Sequence, residues 1–72
     1  MQTINGYAII AHRAYSHKPD EGLVILGVRK NNYNISGYEY VTAVVFTLDD
    51  KEWSWGHYLG TLDSAFDDYN KR

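Results

Sequence analysis

The chain has 72 residues, a length that predicts one domain spanning residues 1–72 with a core of marginal size. It has no cysteine, which excludes disulfides and thiolate zinc sites as sources of stability. Its net charge is −2, whereas a general nucleic-acid-binding domain is usually basic. We therefore expect packing to supply the stability, and the two Trp, seven Tyr and two Phe offer large side chains for it.

Four segments in chain order carry the apolar pattern of β-strands. They are residues 7–15, 23–30, 38–48 and 53–59. The alternation is clearest in the third segment, where one parity holds Tyr38, Tyr40, Thr42, Val44, Phe46 and Leu48. The connections are short and polar, which indicates that the neighbouring strands are antiparallel.

The hydrophobic period changes after residue 60. Thr61 is predicted to cap a helix, and Asp63 lies in its first turn, where a negative charge favours the helix dipole. One helical stripe is formed by Leu62, Ala65, Phe66 and Tyr69. The predicted fold is α+β: an antiparallel β-meander of three to four strands with one C-terminal helix packed on one face, in the order β-β-β-β-α.

The third segment is apolar on both parities, since Val41, Ala43 and Val45 lie opposite the residues just named. One short helix cannot cover both faces of a four-stranded sheet. We therefore expect the second face to be open, and to serve either a homodimer or a different partner.

The sequence Trp53-Ser54-Trp55 is the most specific local feature. On a regular strand both indoles project to one face and Tyr58 to the other. The pair is interpreted either as a partner-binding platform or as core beneath the helix, against Phe66 and Tyr69. The residues assigned to partner binding are Trp53, Trp55, Tyr58, Tyr40, Asp63 and Asp67.

A second hypothesis is a nucleic-acid-binding module. Arg29 and Lys30 would contact phosphates, while Tyr33 and Tyr40 would stack on bases. Against it stands the charge of residues 38–72, which hold three Lys or Arg and seven Asp or Glu. We therefore rank this hypothesis second.

No catalytic residue, cofactor or metal site is predicted. His12, His17 and His57 lack the spacing of a metal site, and no nucleophile or phosphate-binding motif is present. The acidic residues of 49–52 are interpreted as a solvated turn. A chain of this size is also not expected to enclose a pocket of about 300 Å³ or more, the lower range of small-molecule sites.

The stretch Trp55-Gly56-His57-Tyr58-Leu59, followed by the helical residues 62–70, resembles the endings of small uncharacterised bacterial proteins. Some of those proteins lie on phage and other mobile elements. The resemblance covers the last third of the chain, and it implies an accessory or regulatory role with no active residues.

These observations favour a non-enzymatic interaction or regulatory protein whose partner is another protein. An inhibitor of a host protein, carried by a phage or mobile element, is one form of this hypothesis. We expect the chain to be cytoplasmic and not membrane-bound, because its apolar runs fall far short of the ~20 residues that cross a bilayer.

Overall fold

The computed structural model describes residues 2–18, 20 and 22–72. The elements are β1 (Thr3–Ile4), β2 (Tyr7–Ala14), β3 (Leu23–Lys30), β4 (Tyr38–Val45), β5 (Ser54–Leu59) and α1 (Leu62–Lys71). The strands form one antiparallel sheet in the order β1-β2-β3-β4-β5. The predicted meander with a C-terminal helix is confirmed, and β1 is an additional short strand that the sequence pattern did not reveal.

The helix α1 lies on one face of the sheet, over β3, β4 and β5. Its buried residues Ala65 and Tyr69 pack against Val24 and Leu26 of β3. The predicted N-cap is confirmed, because the Thr61 side chain accepts a hydrogen bond from the backbone N–H of Ser64 at 3.2 Å. A cap of this kind satisfies one of the unpaired N–H groups at a helix start.

The face opposite the helix is closed, so the expectation of an open second face was wrong. Val41 and Ala43 of β4 are both 0% exposed on this side. The cover comes from two parts of the chain outside the long strands. β1 supplies Ile4, and the connection between β4 and β5 supplies Leu48 and Trp53. The sheet therefore has a core on each face.

A β-bulge in β5 separates the two tryptophans. The pairing with β4 shifts between Thr42–His57 and Val44–Ser54, so that two residues of β5 lie opposite one residue of β4. An extra residue of this kind reverses the alternation of side chains along a strand. Trp53 consequently packs in the core opposite the helix, whereas Trp55 lies beside Tyr15 on the helix-bearing side.

The prediction that both indoles share one face, with Tyr58 on the other, is therefore wrong. The ring of Tyr58 lies 6.5 Å from that of Trp53, on the same side of the sheet. The alternative that both indoles pack beneath the helix is also wrong, since Trp53 contacts Tyr7 instead, at 5.3 Å between ring centroids. The sequence-based argument assumed an uninterrupted strand, and the bulge invalidates that assumption.

Candidate functional site

A groove of about 340 Å³ lies at the end of the sheet where β2 and β4 finish and β5 begins. The register aligns Ala14, Leu23 and Val45 at this end, so the residues just beyond them converge. We call it the aromatic groove, and its lining includes Tyr15, Phe46, Trp55, Lys18, Asp50 and Glu52. Its volume exceeds the lower limit of about 300 Å³ for small-molecule sites, but it is a half-open groove and not the enclosed pocket that the sequence analysis considered.

Two large aromatic side chains of the groove face solvent. Trp55 is 63% exposed and Phe46 is 77% exposed. The ring centroid of Trp55 lies 6.3 Å from that of Tyr15, which is half-buried. Grouped exposed aromatic residues are typical of surfaces that bind a partner.

The backbone of Trp55 is held in an uncommon conformation. Its φ of +53° lies in the left-handed region, which costs an L-residue about 1–2 kcal/mol. The guanidinium of Arg72, at the end of α1, donates a hydrogen bond to the Trp55 carbonyl. The same guanidinium donates to the Thr42 carbonyl at 3.3 Å, and only 9% of the Arg72 side chain is exposed. The helix terminus therefore fixes the position from which the indole projects.

A carboxylate on α1 completes this support. Asp68 accepts a hydrogen bond from the Thr42 hydroxyl, and its Oδ2 lies 2.9 Å from Nδ1 of His57 and 3.5 Å from Nε of Arg72. Burial by itself would raise the pKa of the Asp68 carboxyl, but the contacts with Thr42, His57 and Arg72 outweigh burial and lower that pKa. Asp68 is thus held as an anion that ties α1 to β4 and β5.

The two carboxylates of the groove differ in their partners. Asp50 accepts a hydrogen bond from the backbone N–H of Phe46 at 2.7 Å, so it closes the turn and orients Phe46. Glu52 is exposed, and within the described residues its side chain makes no hydrogen bond and no ion pair. Of the two carboxylates of the groove, Asp50 is therefore structural, whereas Glu52 has no partner among the described residues.

A second aromatic and acidic cluster lies on the opposite face of the sheet, and its polar side chains form hydrogen bonds with one another. Glu39 accepts hydrogen bonds from the Tyr7 hydroxyl at 2.8 Å, from Arg29 at 3.0 Å and from Asn31 at 3.1 Å. The Arg29 guanidinium also lies 4.6 Å above the Tyr7 ring. The hydrogen bond from Tyr7, with those from Asn31 and Arg29, lowers the pKa of Glu39. We call these four residues the Glu39 cluster.

Burial, together with the hydrogen bond to Glu39, raises the pKa of Tyr7 to about 12. The Tyr7 hydroxyl stays protonated at neutral pH, and its proton is committed to Glu39. The Glu39 cluster therefore serves structure, because its donors and acceptors pair with one another.

The residues predicted for partner binding lie in several places. Trp55 is exposed at the aromatic groove, while Trp53 also lines the groove but packs mainly in the core. Tyr58 is 58% exposed near Trp53, and Tyr40 is half-buried against the helix-face core. Asp63 and Asp67 are exposed on α1, where Asp67 pairs with Lys71 at 2.8 Å.

The residues predicted for nucleic-acid binding are not gathered on one surface. Arg29 is paired with Glu39, and Lys30 follows it on the strand and therefore points to the other face. Tyr33 is 99% exposed in the loop after β3, while Tyr40 is half-buried. Within the part of the chain that the structure describes, no three His, Asp or Glu residues are placed to hold a metal ion.

Sequence reasoning missed three residues of the groove: Tyr15, Phe46 and Glu52. Tyr15 and Phe46 were assigned to strands, but β2 ends at Ala14 and β4 ends at Val45. Glu52 was interpreted as part of a solvated turn. All three residues lie next to the ends of predicted strands. An antiparallel meander brings those ends to the same edge of the sheet, and this was the available signal for the groove.

Comparisons of the chain with protein-family models, with curated proteins and with solved structures find no match. In the described residues, no helix has the length and apolar character needed to cross a membrane. The geometry of the aromatic groove is therefore the basis for proposing a function.

Proposed function

We propose that the protein is a non-enzymatic interaction protein that binds another protein through the aromatic groove. The observation that carries the proposal is Trp55, which is held at positive φ by Arg72 and remains 63% exposed. Residues held in strained backbone conformations cluster at binding and catalytic sites. An indole that served only the core would pack against core residues, as Trp53 does.

Binding would work by covering the exposed aromatic rings. A partner side chain that enters the groove removes apolar surface of Trp55, Phe46 and Tyr15 from water, at about 25 cal/mol per Å² of apolar surface. Tryptophan and tyrosine are over-represented among the residues that dominate binding energy. Because Arg72 and Asp50 already hold the backbone of Trp55 and Phe46, little backbone freedom is lost on binding.

We propose a regulatory accessory role in the cytoplasm, with inhibition of a host protein by a phage or mobile-element product as its most specific form. The support is the small size, the absence of cysteine and the resemblance of residues 55–70 to the endings of small bacterial proteins. A homodimer formed through the groove is the alternative within the same class.

Affinity capture from a lysate of the source organism, with and without nuclease, tests the proposal. Three baits are compared: the native chain, Trp55→Gly and Tyr33→Ala. Tyr33 is a matched control, because it is 99% exposed and does not line the groove. We expect a protein that survives nuclease and binds the native and Tyr33→Ala chains but not Trp55→Gly.

Retention of the partner by Trp55→Gly would overturn the groove as the binding site. Loss of the captured material after nuclease treatment would favour the nucleic-acid hypothesis instead. If each bait recovers only itself, the mass of the native chain in solution decides whether the groove joins two copies.

A further inference from the structure

We propose that the aromatic groove recognises an arginine side chain of the partner, an inference that rests on the proposed function. The juxtaposition that points to it is an exposed indole and phenyl ring beside a carboxylate, Glu52, that no described residue engages. The ligand class is a peptide segment that presents one guanidinium next to apolar residues.

A cation is favoured by both the rings and the charges of the groove. The face of an indole attracts cations more strongly than the face of tyrosine or phenylalanine. Among the described residues of the lining, two acidic side chains, Asp50 and Glu52, stand against one basic side chain, Lys18. An anionic ligand would lie against the two carboxylates, whereas a cationic ligand complements them.

Arginine fits the groove better than lysine because its guanidinium is planar. A planar cation can stack on Trp55 while its N–H groups point along the plane to a carboxylate. Such charge-assisted hydrogen bonds are about twice as strong as neutral ones. The ammonium of lysine offers neither the flat surface nor the paired donors.

The same chain contains one arginine that an aromatic ring and a carboxylate bind together. In the Glu39 cluster, Arg29 lies over the Tyr7 ring and donates to Glu39 through two nitrogens, at 3.0 and 3.2 Å. In the aromatic groove the ring and the carboxylate are present, and the arginine is not. The volume of about 340 Å³ is at the small end of ligand sites and suits one side chain.

The test is selection from a displayed library of random 12-residue peptides, against the native chain and against Trp55→Gly in parallel. We expect the peptides enriched only on the native chain to share an arginine with an apolar neighbour. Replacing that arginine by lysine in a synthetic copy should weaken its binding about three- to tenfold.

Two charge variants sharpen the test. Glu52→Gln should weaken the selected peptide about two- to fivefold, and salt should reduce the difference. Asp63, which the sequence predicted to bind the partner, does not line the groove. If the groove alone recognises the arginine, Asp63→Asn removes the same charge from α1 and leaves the affinity within about twofold, and a loss equal to that of Glu52→Gln would contradict the inference.

Each outcome separates this inference from the function on which it depends. Peptides that require Trp55 but show no preference for arginine, or that bind Glu52→Gln equally well, would overturn the inference and leave the proposed function standing. Equal enrichment on the native chain and Trp55→Gly would contradict both.

Discussion

Trp53 and Trp55 are two residues apart, and the fold uses them in different ways. The Trp53 ring packs beneath the β5 bulge and against Tyr7, on the core opposite the helix. Trp55 projects from the bulge itself and is 63% exposed. A single extra residue in the strand therefore separates an indole that stabilises the fold from one that is available for binding.

The Glu39 cluster and the aromatic groove differ in a similar way. In the Glu39 cluster an arginine, a tyrosine and an asparagine surround the carboxylate, and each of its oxygens accepts at least one hydrogen bond. In the aromatic groove, Glu52 has no partner among the described residues. Complete pairing indicates a structural role for the first cluster, and incomplete pairing favours a ligand for the second.

The largest expected effect comes from truncating the core tryptophan. Trp53→Ala removes the ring that packs against Tyr7 and covers the second face of the sheet, and we expect a loss of about 3 kcal/mol in the free energy of unfolding. Urea unfolding monitored by circular dichroism measures it. A loss below about 1 kcal/mol would show that Trp53 does not close the core.

A substitution at Gly56, within the bulge, tests the packing of Trp53 without replacing either indole. A Cβ at Gly56 would lie 2.8 Å from Nε1 of Trp53, so Gly56→Ala must displace the packed ring. We expect a loss of about 1–3 kcal/mol in unfolding free energy. Gly60→Ala is the matched control, because no atom of the described residues lies within 4 Å of its added Cβ. Equal stability of the two variants would contradict the close approach of Trp53 to the bulge.

Removing the Arg72 side chain tests the support of Trp55. Arg72→Ala deletes the hydrogen bonds to Trp55 and Thr42 and leaves Asp68 with fewer partners. We expect a loss of about 1–2 kcal/mol in unfolding free energy, together with weaker partner capture. Lys71→Ala, which breaks only an exposed ion pair, should change neither quantity appreciably. Unchanged capture by Arg72→Ala would show that the carbonyl contact does not position the indole.

The Glu39 cluster predicts a loss of stability in alkali. The pKa of Tyr7 is raised to about 12 in the folded chain, against about 10 in the unfolded chain. A raised pKa stabilises the folded state fully below pH 10, and this contribution is lost as the pH rises toward 12. The loss is on the order of 2 kcal/mol.

Urea unfolding at a series of pH values measures this loss. In Tyr7→Phe the stability should depend less on pH between 10 and 12, at a cost of about 1 kcal/mol at neutral pH for the lost hydrogen bond. The same alkaline decline in native chain and variant would contradict the placement of the Tyr7 proton.

The smallest effect on stability is expected at the exposed tryptophan. Trp55→Gly gives up the partial contact with Tyr15 but relieves the left-handed conformation, which glycine adopts freely. We expect the free energy of unfolding to change by less than about 1 kcal/mol. A loss as large as that of Trp53→Ala would mean that the two indoles are both core residues.

The main features of the fold could be predicted from the sequence because each has a local cause. Alternating apolar residues predicted four strands, and the Thr61 cap with the 62–69 stripe predicted α1. β1 is only two residues long, too short to show a period. The cover of the second face depends on how Ile4, Leu48 and Trp53 fold over the sheet, which no local pattern encodes.

The candidate site could be predicted only in part. The sequence Trp53-Ser54-Trp55 identified Trp55 as a candidate binding residue. The side of the sheet predicted for it was wrong, because the alternation of side chains was counted through the β5 bulge. Gly56, within the strand pattern, was the available sign of a bulge. Phe46 and Glu52 acquire significance only through the antiparallel register that brings the strand ends together.

Acrylamide quenching of single-tryptophan chains tests the central contrast most directly. Trp53→Phe leaves Trp55 as the only tryptophan, and Trp55→Phe leaves Trp53. We expect strong quenching and red-shifted emission from Trp55, but weak quenching and blue-shifted emission from Trp53. Equal quenching of the two indoles would contradict the separation of a half-buried and an exposed tryptophan by the β5 bulge.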